Sequence, residues 1–253
     1  MEKFEETEAK SDIPLVSFQL QVEFAKRAAE LSGESLDESF MKYTSFYRRV
    51  GNNDWDFNPQ SKAWLKFLDL VHSGKDPAKT VLELHVTDET PVANKENSLR
   101  FGSFRFSINE GKDTVNIHFR NLDKSGKGPL SGDRLKYRTQ ELGEMFKYVR
   151  ENHPDVRTVK GGTWLYNYDA YRNLFPPEYT QNEKVEKVPF PRHMGIWGQL
   201  LDSSGGENKE RVREFRKKIQ KAKNIDELLQ AFPFRMLYQE GDIEPFYEFY
   251  KVK

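Results

Sequence analysis

Apolar and polar residues alternate in two stretches near the middle of the chain. Phe104, Phe106 and Ile108 fall on one side of the first, with Ser103, Arg105 and Ser107 on the other. In the second, Val115, Ile117 and Phe119 oppose Asn116, His118 and Arg120. A period of two predicts half-buried strands over 101–108 and 114–120. The polar turn at 109–113 makes them an antiparallel hairpin. Leu135, Leu142, Met145, Phe146 and Val149 then recur at helical spacing. They predict a helix over 133–152, ended at His153 because Pro154 pushes the preceding residue out of the helical region. Residues 156–165 read as a further extended segment, and 168–175 as a short helix closed by Pro176 and Pro177.

Before residue 76 the period is helical. Leu15, Phe18, Val22, Ala25 and Ala29 predict a helix over 13–31, stopped by Ser32 and Gly33. Ser35 with Glu38 three places on is a capping-box pair, opening a helix that runs through Phe40, Tyr43 and Tyr47 to Gly51. Trp64, Phe67, Leu68 and Val71 mark a third helix over 60–72. Val81 to Thr87 reads as a strand, and Met194 to Asp202 as another around Trp197. An amphipathic helix over 207–223, a short helix over 225–232, a strand over 234–239 and a helix over 243–250 complete the chain. The expected organisation is a helical N-terminal region, residues 1–76, before a mixed α/β domain, residues 77–253, giving the α+β class.

Composition narrows the functions. The 40 basic and 40 acidic side chains cancel, so neither nucleic acid nor an anionic membrane is an expected partner. The chain has no Cys, which excludes disulfides, thiolate nucleophiles and Cys-based metal sites. His85, His118 and His193 lie far apart with no metal-ligand spacing, so no metal is expected. No apolar run reaches the roughly 20 residues of a membrane helix. The acidic opening Met1-Glu-Lys-Phe-Glu-Glu is no secretory signal, which makes the cytoplasm the expected location.

Two segments carry candidate chemistry. Residues 125–132, Ser-Gly-Lys-Gly-Pro-Leu-Ser-Gly, stand between a predicted strand and a predicted helix N-terminus. Backbone N–H groups and the helix dipole can hold a phosphate there, with Lys127 adding charge. The same residues also read as a tight turn capped by Ser131 or Asp133. Neither a Walker loop nor a Rossmann fingerprint is present. Residues 161–168, Gly-Gly-Thr-Trp-Leu-Tyr-Asn-Tyr, follow a predicted strand, where ligands gather in open α/β sheets. Tyr166, Asn167 and Tyr168 are hydrogen-bonding candidates, and a tyrosine can serve as general acid. The plain alternative buries Trp164 in the core and leaves the tyrosines half-buried with wet hydroxyls. His118 sits on the polar side of its strand beside Arg105 and Arg120. The basic helix over 207–223 reads as a solvated face.

Several motifs carry a resemblance. Phe101-Gly-x-Phe104, Ile117-His-Phe119, Gly128-Pro-Leu-Ser131, Trp164-Leu-Tyr-Asn167, the Tyr171 to Tyr179 segment and Trp197-Gly-Gln are similar to those of a family of uncharacterised bacterial proteins, over most of the chain. More distantly, residues 115–202 resemble the C-terminal GNAT-like domain of bacterial acyltransferase-related proteins. There too a strand leads to a Gly-Pro-Leu turn, a helix and a second strand ending in Trp-Leu. This resemblance implies a GNAT-like mixed sheet and an acyl-CoA cofactor held by Gly126, Lys127, Gly128 and Ser131. It implies Tyr166 as acid towards the leaving thiolate and Glu178 as base towards an amine, with His118 and Asn167 as substrate contacts. The family signature Arg/Gln-x-x-Gly-x-Gly/Ala is replaced here by Lys-Ser-Gly-Lys-Gly-Pro at 124–129, where Pro129 brings no N–H. The other reading is a non-catalytic GNAT-like module binding a ligand or a protein.

Overall fold

The structure is a computed structural model describing residues 13–52, 56–85, 98–109, 111–122, 128–181, 184–185 and 191–252. Packing divides the chain into two compact units, Met1–Thr90 and Pro91–Lys253.

The first unit is helical. α1 (Leu15–Ser32) ends on Gly33 in the left-handed conformation, which a residue without Cβ adopts at no steric cost. α2 (Leu36–Tyr43) starts at the expected capping box between Ser35 and Glu38. The helix expected to continue to Gly51 breaks at Thr44, and α3 (Phe46–Arg49) resumes it. The break is held by buried polar groups. Gln21 Oε1 accepts from the backbone N–H and the hydroxyl of Ser45, each at 2.8 Å. α4 (Lys62–His72) and α5 (Pro77–Leu84) follow. The core is aromatic: Phe18, Phe40, Phe46, Tyr47, Trp64 and Phe67 are buried together. Phe40, Phe46 and Phe67 have centroids 5.4–5.9 Å apart, each such pair contributing about 0.5–1.5 kcal/mol beyond area burial.

α5 corrects the strand expected from Val81. Asp76 caps it by accepting from the Lys79 N–H at 2.9 Å, and Pro77 occupies the first turn, where its missing N–H and fixed φ suit a helix start. Ala78 and Val81, three apart, are buried. Pro77–Leu84 lies in the first unit, whereas the sequence puts its boundary between residues 76 and 77.

The second unit is built on a six-stranded mixed sheet. β1 (Arg100–Phe101), β2 (Phe104–Ile108) and β3 (Thr114–Phe119) run antiparallel in sequence, as the alternation predicts. α6 (Gly132–Asn152) then carries the chain across to β4 (Thr158–Thr163), which pairs parallel with β3. A 3-10 turn, Trp164–Asn167, and two short helices, α7 (Asp169–Arg172) and α8 (Pro177–Gln181), lead to β5 (Lys184–Val185). A second 3-10 segment, Met194–Leu200, stands where a strand was expected. Its buried residues Ile196, Trp197 and Leu200 are spaced as on a helix, and Trp197 Nε1 donates to the Pro191 carbonyl at 2.8 Å. α9 (Lys209–Lys221) and α10 (Ile225–Leu229) precede β6 (Leu237–Asp242), which inserts between β4 and β5, and α11 (Glu244–Phe249).

The register gives the sheet one covered and one open face. Phe104, Phe106, Val115, Ile117, Val159 and Leu237 share the covered side and pack with Leu142, Met145, Phe146 and Val149 of α6 and Phe246 of α11. The open side carries Arg105, Ser107, Asn116, His118, Lys160, Gly162, Tyr238 and Glu240, half-buried to exposed.

One buried ion pair ties α6 to the β1–β2 turn. Arg138 pairs with Glu141, its Nε donates to the Pro129 carbonyl at 3.2 Å, and Glu141 accepts from the Ser103 N–H at 3.2 Å. Gly102 has φ +56°, and a Cβ there would overlap the Glu141 carboxylate. Gly102→Ala therefore imposes left-handed strain and displaces the pair. It should lower the stability of the second unit by about 2 kcal/mol, read as a lower urea midpoint. An unchanged midpoint would show that the clamp carries no strain.

Candidate functional site

The parallel strands part at their carboxyl ends. β3 and β4 pair from Thr114 with Thr158 to Ile117 with Gly161. Beyond that each keeps only its outer neighbour: His118 and Phe119 stay beside Arg105 and Phe104, and Gly162 and Thr163 beside Tyr238 and Leu237. The end of this ladder, flanked by His118–Phe119 and Gly162–Thr163, is here termed the wedge. Strand backbone that leaves its neighbour has N–H and C=O groups to offer a ligand. The carboxyl ends of parallel strands, at a change of strand direction, are where open α/β sheets bind.

On the covered side, hydroxyls stand over the start of the wedge. A Cβ at Gly161 would lie 2.6 Å from the Tyr166 hydroxyl and 2.8 Å from that of Tyr179, and the two hydroxyls are 3.2 Å apart. Tyr166, Tyr171 and Tyr179 are buried among Phe104, Phe175 and Phe246. The Tyr250 hydroxyl donates to the Leu174 carbonyl. Loss of solvation is the main force pushing the pKa of Tyr166, Tyr171, Tyr179 and Tyr250 above the ordinary phenol value. Gln239, directly across from Gly161, is also buried, and neither amide atom has a hydrogen-bond partner among the described residues.

On the open side the wedge is bordered by polar groups. His118 Nε2 lies 2.9 Å from the Ser107 hydroxyl. The Tyr238 ring lies over Gly162, its Cε1 2.6 Å from where a Cβ would be. The Tyr238 hydroxyl is 3.4 Å from His193 Nε2. Further out, Lys160 and Lys184 each reach Glu240 at 3.4 Å and hold its carboxyl below its ordinary pKa, Lys160 most.

The expected site residues are thus separated. Tyr166 is buried on the covered side, while His118 is exposed on the other. Glu178 is exposed in the first turn of α8. Asn167 is exposed, its amide donating to the carbonyls of Trp164 and Arg235 at 2.6 and 2.9 Å. Trp164, expected in the core, is half-buried; its Nε1 donates to the Gly195 carbonyl at 3.0 Å and its ring stacks on Phe234. Gly126 and Lys127 lie outside the described residues. Gly128 has open space where a Cβ would be. Ser131 is the N-cap of α6, and its hydroxyl is buried with no hydrogen-bond partner among the described residues. The sequence reading missed Gln239, Tyr179 and Tyr238. The signal for Gln239 was present, as a polar residue at a core-facing place between Leu237 and Gly241.

Among the described residues no group of three or more acidic or histidine side chains could hold a metal, and no helix is long and apolar enough to cross a membrane. No protein-family model, curated protein or solved structure matches the chain.

Two predictions follow from the tyrosine cluster. The folded chain keeps phenol protons that the unfolded chain releases above about pH 10. Stability from these groups is complete below that pH and falls above it, by about 1.4 kcal/mol per pH unit for each tyrosine. With Tyr166, Tyr171, Tyr179 and Tyr250 all shifted upwards, the second unit should unfold cooperatively between about pH 10 and 12. Tyrosinate absorbance should rise late and together with loss of structure; smooth titration of every tyrosine near pH 10 would contradict the burial. Gly161→Ala should cost about 2 kcal/mol by forcing the two hydroxyls apart. Gly128→Ala, with open space, should stay within about 0.5 kcal/mol of wild type in the same denaturation assay.

Proposed function

We propose that the chain is a GNAT-like acyltransferase that takes its acyl group from acyl-CoA and binds it in the wedge between β3 and β4. The observation that carries this reading is the end of the parallel pairing after Ile117 and Gly161, with the 21-residue helix α6 the next element after β3. Backbone N–H groups freed from strand pairing would polarise a thioester carbonyl. The positive end of α6 would face the phosphates. β3, α6 and β4 follow one another in the order that a GNAT-like domain would have.

The residues present fit the phosphates in part. Gly128 leaves room for close approach, the buried Ser131 hydroxyl has no hydrogen-bond partner among the described residues, and Gly126 and Lys127 precede them in sequence. Pro129 supplies no N–H, and its carbonyl is engaged by Arg138. His118 and Asn167, exposed near the strand ends, would contact the acceptor; Glu178 is the base that the resemblance alone implies.

The second reading, a module that binds acyl-CoA or another ligand or protein without chemistry, is favoured by Tyr166. Its hydroxyl is buried against Tyr179, away from solvent and from a departing thiolate.

Calorimetry with coenzyme A tests binding, and a thiol reagent tests turnover, with no background because the chain lacks Cys. The transferase reading expects micromolar to millimolar binding and amine-dependent thiol release from acetyl-CoA. A charge-assisted phosphate contact is worth about 1.5–3 kcal/mol, so Lys127→Ala should weaken binding by about one to two decades. Binding without thiol release would leave the module. No binding at millimolar coenzyme A would end both acyl-CoA readings.

A further inference from the structure

From the geometry of the open side of the sheet we infer that the acid–base groups of this site are Tyr238 and His193, and that the acyl acceptor, a primary amine, approaches from the open side beside the Tyr238 hydroxyl. This deepens the acyl-CoA reading and rests on it for the reaction.

Three observations converge. First, accessibility divides the sheet. The tyrosine named by resemblance, Tyr166, is 1% exposed, whereas Tyr238 is half-buried on the open face beside exposed Gly162 and Glu240. A proton donor to a leaving group must come within hydrogen-bond reach of it, and only the open side offers such reach without unpacking the core. Second, Tyr238 is placed at the wedge. Its Cε1 and Cζ lie 2.6 and 3.6 Å from the position of a Gly162 Cβ, so its ring occupies the space Gly162 leaves. Gly162 is one residue past the last β3–β4 pair, so the phenol stands next to the backbone freed by the parting. Third, Tyr238 has a base beside it. Its hydroxyl is 3.4 Å from His193 Nε2, with the rings edge to face at 6.5 Å. That distance is long for a hydrogen bond, as such contacts often are before a ligand tightens them. No other phenol–imidazole hydrogen bond occurs among the described residues. On the far side of the wedge His118 is held by Ser107, which leaves it a place in acceptor binding.

The proton balance closes with these groups. The amine nitrogen forms a bond to the acyl carbon as the carbon–sulfur bond breaks. The nitrogen loses one proton to His193, sulfur leaves with the proton of the Tyr238 hydroxyl, and the tyrosinate regains a proton from the imidazolium. No oxidant, reductant or metal enters. Gly162 is then a positioning residue: a side chain there would displace the Tyr238 ring.

A test on the protein alone uses N-acetylimidazole, which acetylates tyrosine hydroxyls, with peptides mapped by mass spectrometry. Tyr137, 56% exposed, is the internal reference. The expected result is labelling of Tyr238 about fivefold or more faster than Tyr137, an excess lost in His193→Gln, with Tyr166 unlabelled. Equal rates, or an excess that survives His193→Gln, would overturn the pair. The second arm is thiol release from acetyl-CoA with a primary-amine panel. Tyr238→Phe keeps the ring over Gly162 and should lower kcat at least tenfold while leaving the coenzyme A Kd within threefold. His193→Gln should lower kcat and remove the acidic limb of its pH profile. Wild-type turnover by Tyr238→Phe, or loss of turnover in a folded Tyr166→Phe instead, would overturn the assignment. Absence of coenzyme A binding by wild type would fell the acyltransferase reading, and the labelling result would still decide whether Tyr238 and His193 form a reactive pair.

Discussion

Gly161 pairs with Ile117 on one side and Gln239 on the other, and the Tyr166 and Tyr179 hydroxyls stand where its Cβ would be. Three features of the second unit depend on that absence of a side chain. The tyrosines approach the sheet closely enough to bury their hydroxyls together. α8, which carries Tyr179, can pack against β6. The pairing of the two parallel strands also ends there. A binding wedge is more selective when its floor is rigid, because a preorganised site loses less free energy to ordering on association.

The same arrangement separates two kinds of tyrosine. Tyr166, Tyr171 and Tyr179 belong to packing; their raised pKa values record burial, and structural environments perturb such values as well as catalytic ones. Tyr238 lies across the sheet, against Gly162 rather than Gly161, within reach of solvent and of an imidazole. Adjacent glycines on one strand thus serve opposite faces, since successive strand residues point to opposite sides: the first admits the core and the second the phenol of the open face. The Arg138–Glu141 pair adds a remote constraint, holding the carbonyl of Pro129 at the entrance to α6 and the turn at Ser103.

Much of the fold was legible in the sequence because periodicity and caps act locally. The hairpin, β3, α6, α1 and the Ser35–Glu38 box needed only neighbouring residues. The strand expected at Val81 failed because β-branched and apolar residues were weighed above the Asp76-Pro77 start signal, which was present. The strand expected at Met194 failed because Ile196, Trp197 and Leu200 carry helical, not alternating, spacing. The candidate site was less legible for a different reason. Whether Tyr166 or Tyr238 meets solvent depends on which side of the sheet each occupies, and that is set by the register of β4 against β3 and β6, pairings between segments distant in sequence. Alternation places His118 correctly on the polar side but says nothing of where β4 parts from β3.

The wedge itself can be tested by following backbone amides through a coenzyme A titration by NMR. Shift changes should concentrate at His118–Phe119, Gly162–Thr163 and the first turn of α6, where backbone N–H groups would meet the ligand, and should saturate together with a single Kd. Changes confined to α9 around Lys218 and Lys221, or to the helical first unit, would place the ligand elsewhere and contradict the account.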